Sequence, residues 1–344
     1  MSKGRILVTG GLGYIGAHTA VELLAKGYDV VLADNLSNTR KEVLEGIEAV
    51  SGQRPTWWNV DIADPSATRA ALSEQHFDGI IHFAAYKAVG ESVAEPLKYY
   101  QNNLTSLVNL LAYVQSHPSC GFIFSSSCTV YGQADDLPIT EAAPIKPAES
   151  PYGNTKQIGE EVIKETAQAK GLKTIALRYF NPIGAHHSAS IGELPLGVPQ
   201  NLVPFITQSA AGLRGPLQIF GQDYPTADGT AVRDYIHVVD LALAHIVALE
   251  RLMDNAQEAP MEVFNLGTGK GSTVLEVIQA FERATGQKLA WSYAPRRAGD
   301  VVAAYADTTR ATQVLGWTAQ KSLDEAMRDA WAWQLAIGAP EKEA

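Results

Sequence analysis

The chain is predicted to be an α/β protein built on a doubly wound parallel sheet, with a smaller, interleaved α/β region added to it. Three observations carry this. Short apolar runs alternate with helical periodicity as far as Tyr179, a glycine-rich turn joins the first run to the first helix, and a Gly/Pro-rich texture begins at Asn181.

Arg5 to Thr9 is a β-compatible run, followed by glycines and by the helical spacing Ile15, Thr19, Leu23, which ends near Gly27. Tyr28 to Asp34, Gly79 to Ala84 and Phe122 to Ser126 read as further strands, with the helix-compatible stretch Leu97 to Gln115 between the last two. Thr155 to Lys170 is helical and leads into a strand at Lys173 to Tyr179. From Asn181 to about Thr230, turn signals such as Asn181-Pro182 and Asp228-Gly229 predominate, around one helical piece at Leu202 to Ala211. Val238 to Leu252 then reads as a helix and Val263 to Leu266 as a short buried strand that returns to the first sheet.

Composition narrows the function. The formal net charge of -10 disfavours a general nucleic-acid or anionic-membrane surface. Cys120 and Cys128 have no paired spacing, and Met1-Ser2-Lys3-Gly4 runs into a strand instead of a leader's apolar stretch, so a reducing cytoplasm is expected. Polar residues or Gly/Pro interrupt every hydrophobic run before it reaches the roughly 20 residues that span a bilayer. There is no repeat or low-complexity tract beyond a few polar residues at Glu341 to Ala344.

The turn Gly10-Gly11-Leu12-Gly13-Tyr14-Ile15-Gly16 satisfies GxGxxG between a strand and a helix, the context a dinucleotide site requires. Missing side chains let a pyrophosphate approach the helix N-terminus, where the dipole favours an anion. Asp34 ends the second strand, about 20 residues on, where a carboxylate accepts hydrogen bonds from a ribose and repels a 2′-phosphate. A Rossmann-type site that prefers NAD to NADP is the expectation; a purely structural glycine turn is the alternative.

Tyr152-Gly153-Asn154-Thr155-Lys156 places a phenol and an ammonium four residues apart on one helix face. A phenol is a poor base near its usual pKa of about 10, and the Lys156 cation together with a charged nicotinamide is expected to lower that value. Ser125, Ser126 and Ser127 close a buried strand at the carboxyl edge of the sheet, where open α/β folds bind ligands. A serine there can bond a reacting oxygen, or it can satisfy its own backbone.

These segments resemble the extended short-chain dehydrogenase/reductase superfamily, and more closely its UDP-glucose 4-epimerase family, over essentially the whole chain. Besides the glycine turn, the match is carried by Asp34 to Asn38, Phe83 to Ser92, Ser125 to Gly132, Tyr152 to Lys156, Tyr179 to Pro182, Gly184 to His186 and Asp228 to Val238. The resemblance implies an NAD-dependent interconversion of UDP-glucose and UDP-galactose with no net redox change, in galactose metabolism, by a homodimer. It implies Ser127, Tyr152 and Lys156 as the catalytic residues. The cofactor would be held by Gly10, Gly13, Tyr14, Ile15, Gly16, Asp34, Asn35, Ser37, Asn38, Phe83, Ala84, Ala85, Lys87, Asn102 and Ser125, with the catalytic pair Tyr152 and Lys156 also in contact. Asp61 and Ile62 would flank the adenine and Tyr179 the nicotinamide. The UDP-sugar would meet Lys87, Ser127, Tyr152, Phe180, Asn181, Asn201, Leu202, Arg233, Arg297, Asp300 and Ala304. The arginine forks suit a pyrophosphate. Residues 1–180 would then be the NAD-binding domain, with segments near 236–268 returning to it, and 181–344 mainly the UDP-sugar-binding domain.

One departure bears on substrate range. Some members of the family carry a tyrosine four residues after the aspartate of the Arg-Arg-x-Gly-Asp segment; here Ala304 stands there, followed by Tyr305. Room for a 2-acetamido group, and so for UDP-GlcNAc and UDP-GalNAc, is the expectation.

Rival chemistries fit less well. A nucleotide-sugar 4,6-dehydratase needs an extra acid and base beside the serine strand, where this chain has Cys128-Thr129. A UDP-uronate epimerase or decarboxylase, or a non-catalytic NAD sensor, remain as alternatives. His186-His187 is poor spacing for two ligands on one metal, no Cys/His cluster occurs, and GxSxG is absent, so neither a metal nor a hydrolase is indicated.

Overall fold

A computed structural model describes residues 2–297 and 300–338. The polar end Glu341 to Ala344 and Met1 lie outside the described residues. The chain opens with β1 (Arg5–Thr9), α1 (Tyr14–Ala25), β2 (Asp29–Ala33), α2 (Val43–Ser51), β3 (Thr56–Trp58), α3 (Pro65–Leu72) and β4 (Gly79–His82). There follow α4 (Val89–Ala94), α5 (Pro96–Ser116), β5 (Gly121–Ser125), α6 (Pro151–Lys170) and β6 (Thr174–Tyr179). After an excursion through β7 (Asn181–Ile183), α7 (Leu202–Ala210), β8 (Leu217–Phe220), β9 (Val232–Arg233), β10 (Tyr235–His237) and α8 (Val238–Met253), β11 (Met261–Leu266) returns to the sheet. The remainder is β12 (Ser272–Thr273), α9 (Val274–Thr285), β13 (Trp291–Ala294), β14 (Ala303–Ala304) and α10 (Leu323–Ile337).

The central sheet has the order β11-β6-β5-β4-β1-β2-β3, with every pair parallel. Its inner strands are apolar on both faces because helices cover both. Ile6, Val8 and Leu32 pack with α1, α2 and α8, while Leu7, Ile80 and Phe122 pack with α3, α5 and α6. Strand order reverses between β1 and β4, which opens a crevice at the carboxyl ends of the strands. The glycine turn and the segment after β4 meet there.

The sequence reading began the sixth helix at Thr155, one turn late. Ser150 accepts from Gly153 N–H at 3.2 Å and Pro151 occupies the first turn, so the helix starts early enough to carry Tyr152. It overlooked α2, β3, α3, α4 and the short strands β7 to β10, and it assigned no elements after Leu266. Capping boxes were the available signal for two of these: Thr273 with Glu276 starts α9 and Ser322 with Glu325 starts α10. The chain after β6 folds into small sheets, β10-β7, β12-β9-β14 and β13-β8, backed by α7, α9 and α10 around Ile206, Phe281 and Met327. Among the described residues, no helix is long and apolar enough to cross a membrane.

Candidate active site

The glycine turn packs closely against neighbouring main chain at the start of α1, which residues with a Cβ could not do. Gly10 sits at φ +68, where a Cβ would come within 2.8 Å of Ala84 N; at Gly16 a Cβ would lie 2.2 Å from the Gly10 carbonyl oxygen. Gly13 caps α1 with no side chain, so the helix's leading N–H groups stay open toward the crevice. Ile15 and Tyr14 occupy the first turn, and the Tyr14 hydroxyl donates to Gly184 O at 2.7 Å, joining this turn to the segment after β7.

Asp34, 9% exposed, accepts from Leu12 N–H at 3.1 Å on one oxygen and from Leu36 N–H at 2.9 Å on the other. Burial raises its pKa while these two bonds oppose the rise. The loop continues with Asn35, whose side chain accepts from Ser37 N–H at 3.0 Å, and Asn38. Beyond β3, Asp61 accepts from Ala63 N–H at 2.8 Å, and the buried Ile62 offers its carbonyl to Asn109 at 2.8 Å. Phe83, Ala84 and Ala85 leave β4 opposite the glycine turn, Phe83 N–H bonding Thr9 O at 3.0 Å. Their continuation is fastened by a residue not singled out from the sequence. Asn103 accepts from Tyr86 N–H at 2.9 Å, donates to Tyr86 O at 3.0 Å, and receives an N–H from the expected ligand Asn102 at 3.0 Å. Two adjacent asparagines among the apolar positions of α5 were its sequence signal.

Tyr152, Lys156 and Ser127 converge at the end of β5. Lys156 Nζ donates to the Ser125 carbonyl at 2.7 Å and lies 5.9 Å from the centre of the Tyr152 ring. Ser127 is 7% exposed and its hydroxyl accepts from Thr129 N–H at 3.2 Å. The Ser125 hydroxyl pairs with Tyr179 OH at 2.6 Å. The protein's own groups set the starting point for the phenol. Among the protein's own groups, burial pushes the Tyr152 phenol well above its ordinary pKa, the nearby Tyr179 adds to the rise, and a hydrogen bond with Ser127 only partly offsets it. The Lys156 ammonium is itself lowered to about 8 by burial. Burial is the largest influence on the phenol, and the Lys156 charge beside the ring acts against it.

The remaining expected residues line a second wall. Phe180, buried, packs with Val130, Tyr131 and Ala304. Asn181 opens β7 and its N–H bonds Asp234 O at 2.9 Å. Arg233 pairs with Asp300 at 2.7 Å and donates to Val301 O at 2.9 Å. The Arg297 guanidinium lies 4.0 Å over the Phe220 ring, an aromatic platform that sequence reasoning missed. Between Arg297 and Asp300, Ala298 and Gly299 lie outside the described residues. Asn201 precedes α7, which Leu202 begins, and donates to Glu193 at 2.6 Å; Lys87 Nζ stands 3.5 Å from the same Glu193 oxygen. Another missed residue, the fully buried Asp234, accepts from Thr268 N–H at 2.8 Å, Thr268 OH at 2.7 Å, Gly269 N–H at 3.2 Å and Ala306 N–H at 3.1 Å, which locks β9 against β14. Ala304 is in register with Arg233, whereas the Tyr305 ring turns to Gly271, so Tyr305 does not fill the space beside Ala304.

Among the described residues no group of histidine, cysteine and carboxylate side chains could hold a metal ion. The geometry offers a dinucleotide cradle, a buried serine, phenol and ammonium at its inner end, and an arginine-lined wall beyond.

Known proteins resemble this chain in sequence and fold. A sequence-family model described as GDP-mannose 4,6 dehydratase matches residues 7–330. A UDP-glucose 4-epimerase of Erwinia amylovora is 49% identical over 330 residues, covering 96% of this chain and 97% of that protein. The crystal structure of the UDP-glucose 4-epimerase from Stenotrophomonas maltophila, with bound NAD and formylated UDP-arabinopyranose, is 46% identical with a TM-score of 0.93, over 97% of this chain and 98% of that one. That of the Bifidobacterium longum enzyme in complex with NAD+ and UDP is 44% identical with a TM-score of 0.91, over 96% and 98%.

Proposed function

The chain belongs to the UDP-glucose 4-epimerase family of extended short-chain dehydrogenases/reductases, and we propose that it interconverts UDP-glucose and UDP-galactose by transient oxidation at C4. The observation that carries this is the meeting of Ser127, Tyr152 and Lys156 at the inner end of the glycine cradle, in a chain 49% identical to a protein of that activity.

NAD fits this turn: Gly13 caps α1 with no side-chain bond, which leaves the helix N-terminus for a pyrophosphate, and Asp34 directly follows β2, where a carboxylate can bond a ribose. Gly10, Gly13, Gly16, Asp34, Phe83 to Ala85, Lys87 and Asn102 would hold it, with Asp61 and Ile62 beside the adenine and Tyr179 near the nicotinamide. When bound, it supplies the hydride acceptor at C4 and returns the hydride, so no net redox change results.

The chain's own residues then divide the work. Tyr152 takes the O4 proton and returns it, and Ser127 bonds the same oxygen. Lys156 keeps a positive charge beside the phenol, which favours the phenolate against the burial that disfavours it. Arg233, Arg297, Asn181, Asn201 and Leu202 grip the nucleotide and its diphosphate. Residues 181–344 are thus mainly the sugar-nucleotide domain. A firm hold on UDP and a loose one on the hexose lets the keto sugar turn its other face before hydride returns. A dehydratase would need a further acid and base where Cys128 and Thr129 stand.

The small side chain of Ala304, with the Tyr305 ring lying by Gly271, supports UDP-GlcNAc and UDP-GalNAc as further substrates. Leu97, Leu104 and Val108 fall on one stripe of α5, and Leu97 is 79% and Val108 52% exposed, which supports a homodimer through this face. Cys120 and Cys128 are free thiols, in keeping with a reducing cytoplasm.

The test is to mix the purified protein, with no added cofactor, with UDP-galactose and follow the sugar protons by NMR. Appearance of UDP-glucose without net NADH supports the reading, and no conversion even with added NAD overturns it.

A further inference from the structure

Beneath the Ser127, Tyr152 and Lys156 face lies a buried charged network that the mechanism above leaves unused. Glu160, 8% exposed, is one helical turn after Lys156 on α6. One carboxylate oxygen accepts from Ser126 OH at 2.5 Å and from Arg178 Nε at 2.9 Å, and the other accepts from Arg178 Nη2 at 2.5 Å. Arg178, on β6, also donates to Tyr131 OH at 3.0 Å, and Tyr131 donates to Asn265 at 2.6 Å. Glu160 therefore ties the helix that bears Tyr152 and Lys156 to the strand end that bears Ser125 and Ser127.

We propose that Glu160 is a positioning residue for the reaction, holding the Ser125–Ser127 strand end in place through Ser126 and keeping the Lys156 ammonium charged in its buried site. This rests on the epimerase reading. A buried ion pair contributes little net stability compared with a well-packed apolar pair. A carboxylate one turn from a desolvated ammonium has a specific electrostatic consequence instead. The groups facing Lys156 are Tyr152 and Glu160 on its own helix, the Phe124 ring and Ser125 carbonyl of β5, and the neutral His82 of β4, with Arg178 of β6 paired to the far side of Glu160. Of these surroundings, Glu160 is the anion, and it opposes the burial that lowers Lys156. Without it the ammonium gives up its proton at lower pH.

Two readouts test this on the cofactor-loaded enzyme. One is the pH profile of kcat for UDP-galactose; the other, independent of turnover, is the NMR titration of Lys156 in protein labelled with carbon-13 at lysine Cε. Glu160→Gln, which keeps shape and the bond to Ser126 but not the charge, is expected to move the alkaline limb and the Lys156 titration down by about one pH unit. Glu160→Asp retains the pair with Arg178 while withdrawing the charge, and should shift both in the same direction by less, so a poorly folding Gln variant still leaves a decisive one. Ser126→Ala removes the hydrogen bond alone and should lower kcat with both titrations unmoved. Unchanged titrations in the folded Glu160 variants, or an equal shift in Ser126→Ala, overturn the proposal. If the wild type fails to convert UDP-galactose, the epimerase reading falls, and the Lys156 titration still decides the role of Glu160.

Discussion

Lys156 Nζ donates to the Ser125 main-chain carbonyl at 2.7 Å, so the ammonium is anchored to the strand end and reaches Tyr152 through its charge, 5.9 Å from the ring centre. Lys156→Met keeps most of the side-chain volume and removes that charge. We expect an intact far-ultraviolet circular dichroism spectrum and a fall in kcat for UDP-galactose of about 100-fold or more. A variant that keeps wild-type kcat would show that the charge plays no part in ionising Tyr152.

Ala304 stands in register with Arg233, and Tyr305 is turned away against Gly271. A tyrosine introduced by Ala304→Tyr would occupy the space assigned to the acetamido group. Turnover of UDP-GlcNAc is expected to fall about tenfold or more relative to UDP-galactose, the size of a steric discrimination of about 1–3 kcal/mol. Equal losses on both sugars would mean that residue 304 does not see the C2 substituent.

Asp34 already satisfies Leu12 and Leu36 N–H groups, so its carboxylate shapes the loop and also faces the expected ribose. Charge-assisted bonds of this kind contribute about 1.5–3 kcal/mol, so Asp34→Ala should weaken NAD binding by about 10- to 100-fold. The same change should narrow the preference for NAD over NADP, because the repulsion of a 2′-phosphate goes with the carboxylate. Calorimetric titration of protein stripped of nucleotide checks both, and unchanged affinities would place the ribose elsewhere.

Buried histidines set the acid limit of stability. Burial lowers His82 and His18 to about 3 and His245 to about 4. In the window between these values and the unfolded value of about 6.5, the unfolded chain binds protons that the folded chain refuses, so stability is full above that value and is lost as pH falls. A wholly buried neutral histidine costs about 2 kcal/mol at pH 5. Urea unfolding should show a lower midpoint at pH 5 than at pH 7. His82→Gln, which can still bond Thr9, should shrink the difference. A midpoint that does not fall on acidification would mean these imidazoles are hydrated.

Much of the sheet was readable because its signals are local. Inner strands buried on both faces appear as unbroken apolar runs such as Ile6 to Val8 and Phe122 to Phe124, and the glycine turn declares itself by residue type and context. The elements overlooked, α2, β3, α3, α4, β7 to β10 and those after Leu266, are short or draw their stability from distant partners. Thr56–Trp58 is strand only because β2 supplies its ladder. Phe220 and Asp234 were missed for the same reason: one matters through Arg297 and the other through Thr268, Gly269 and Ala306.

The sequence by itself determined the alternation of strand and helix, the glycine cradle with its Asp34, the helical spacing that sets Tyr152 over Lys156, and the family. Tertiary structure alone decided the surroundings of these groups: that the phenol and the ammonium are both buried, that Lys156 spends its bond on Ser125, and that Glu160 and Arg178 are buried together beneath them. The physical reason is that spacing along a helix places groups on one face, whereas desolvation depends on what strands and loops far away in the chain pack around that face.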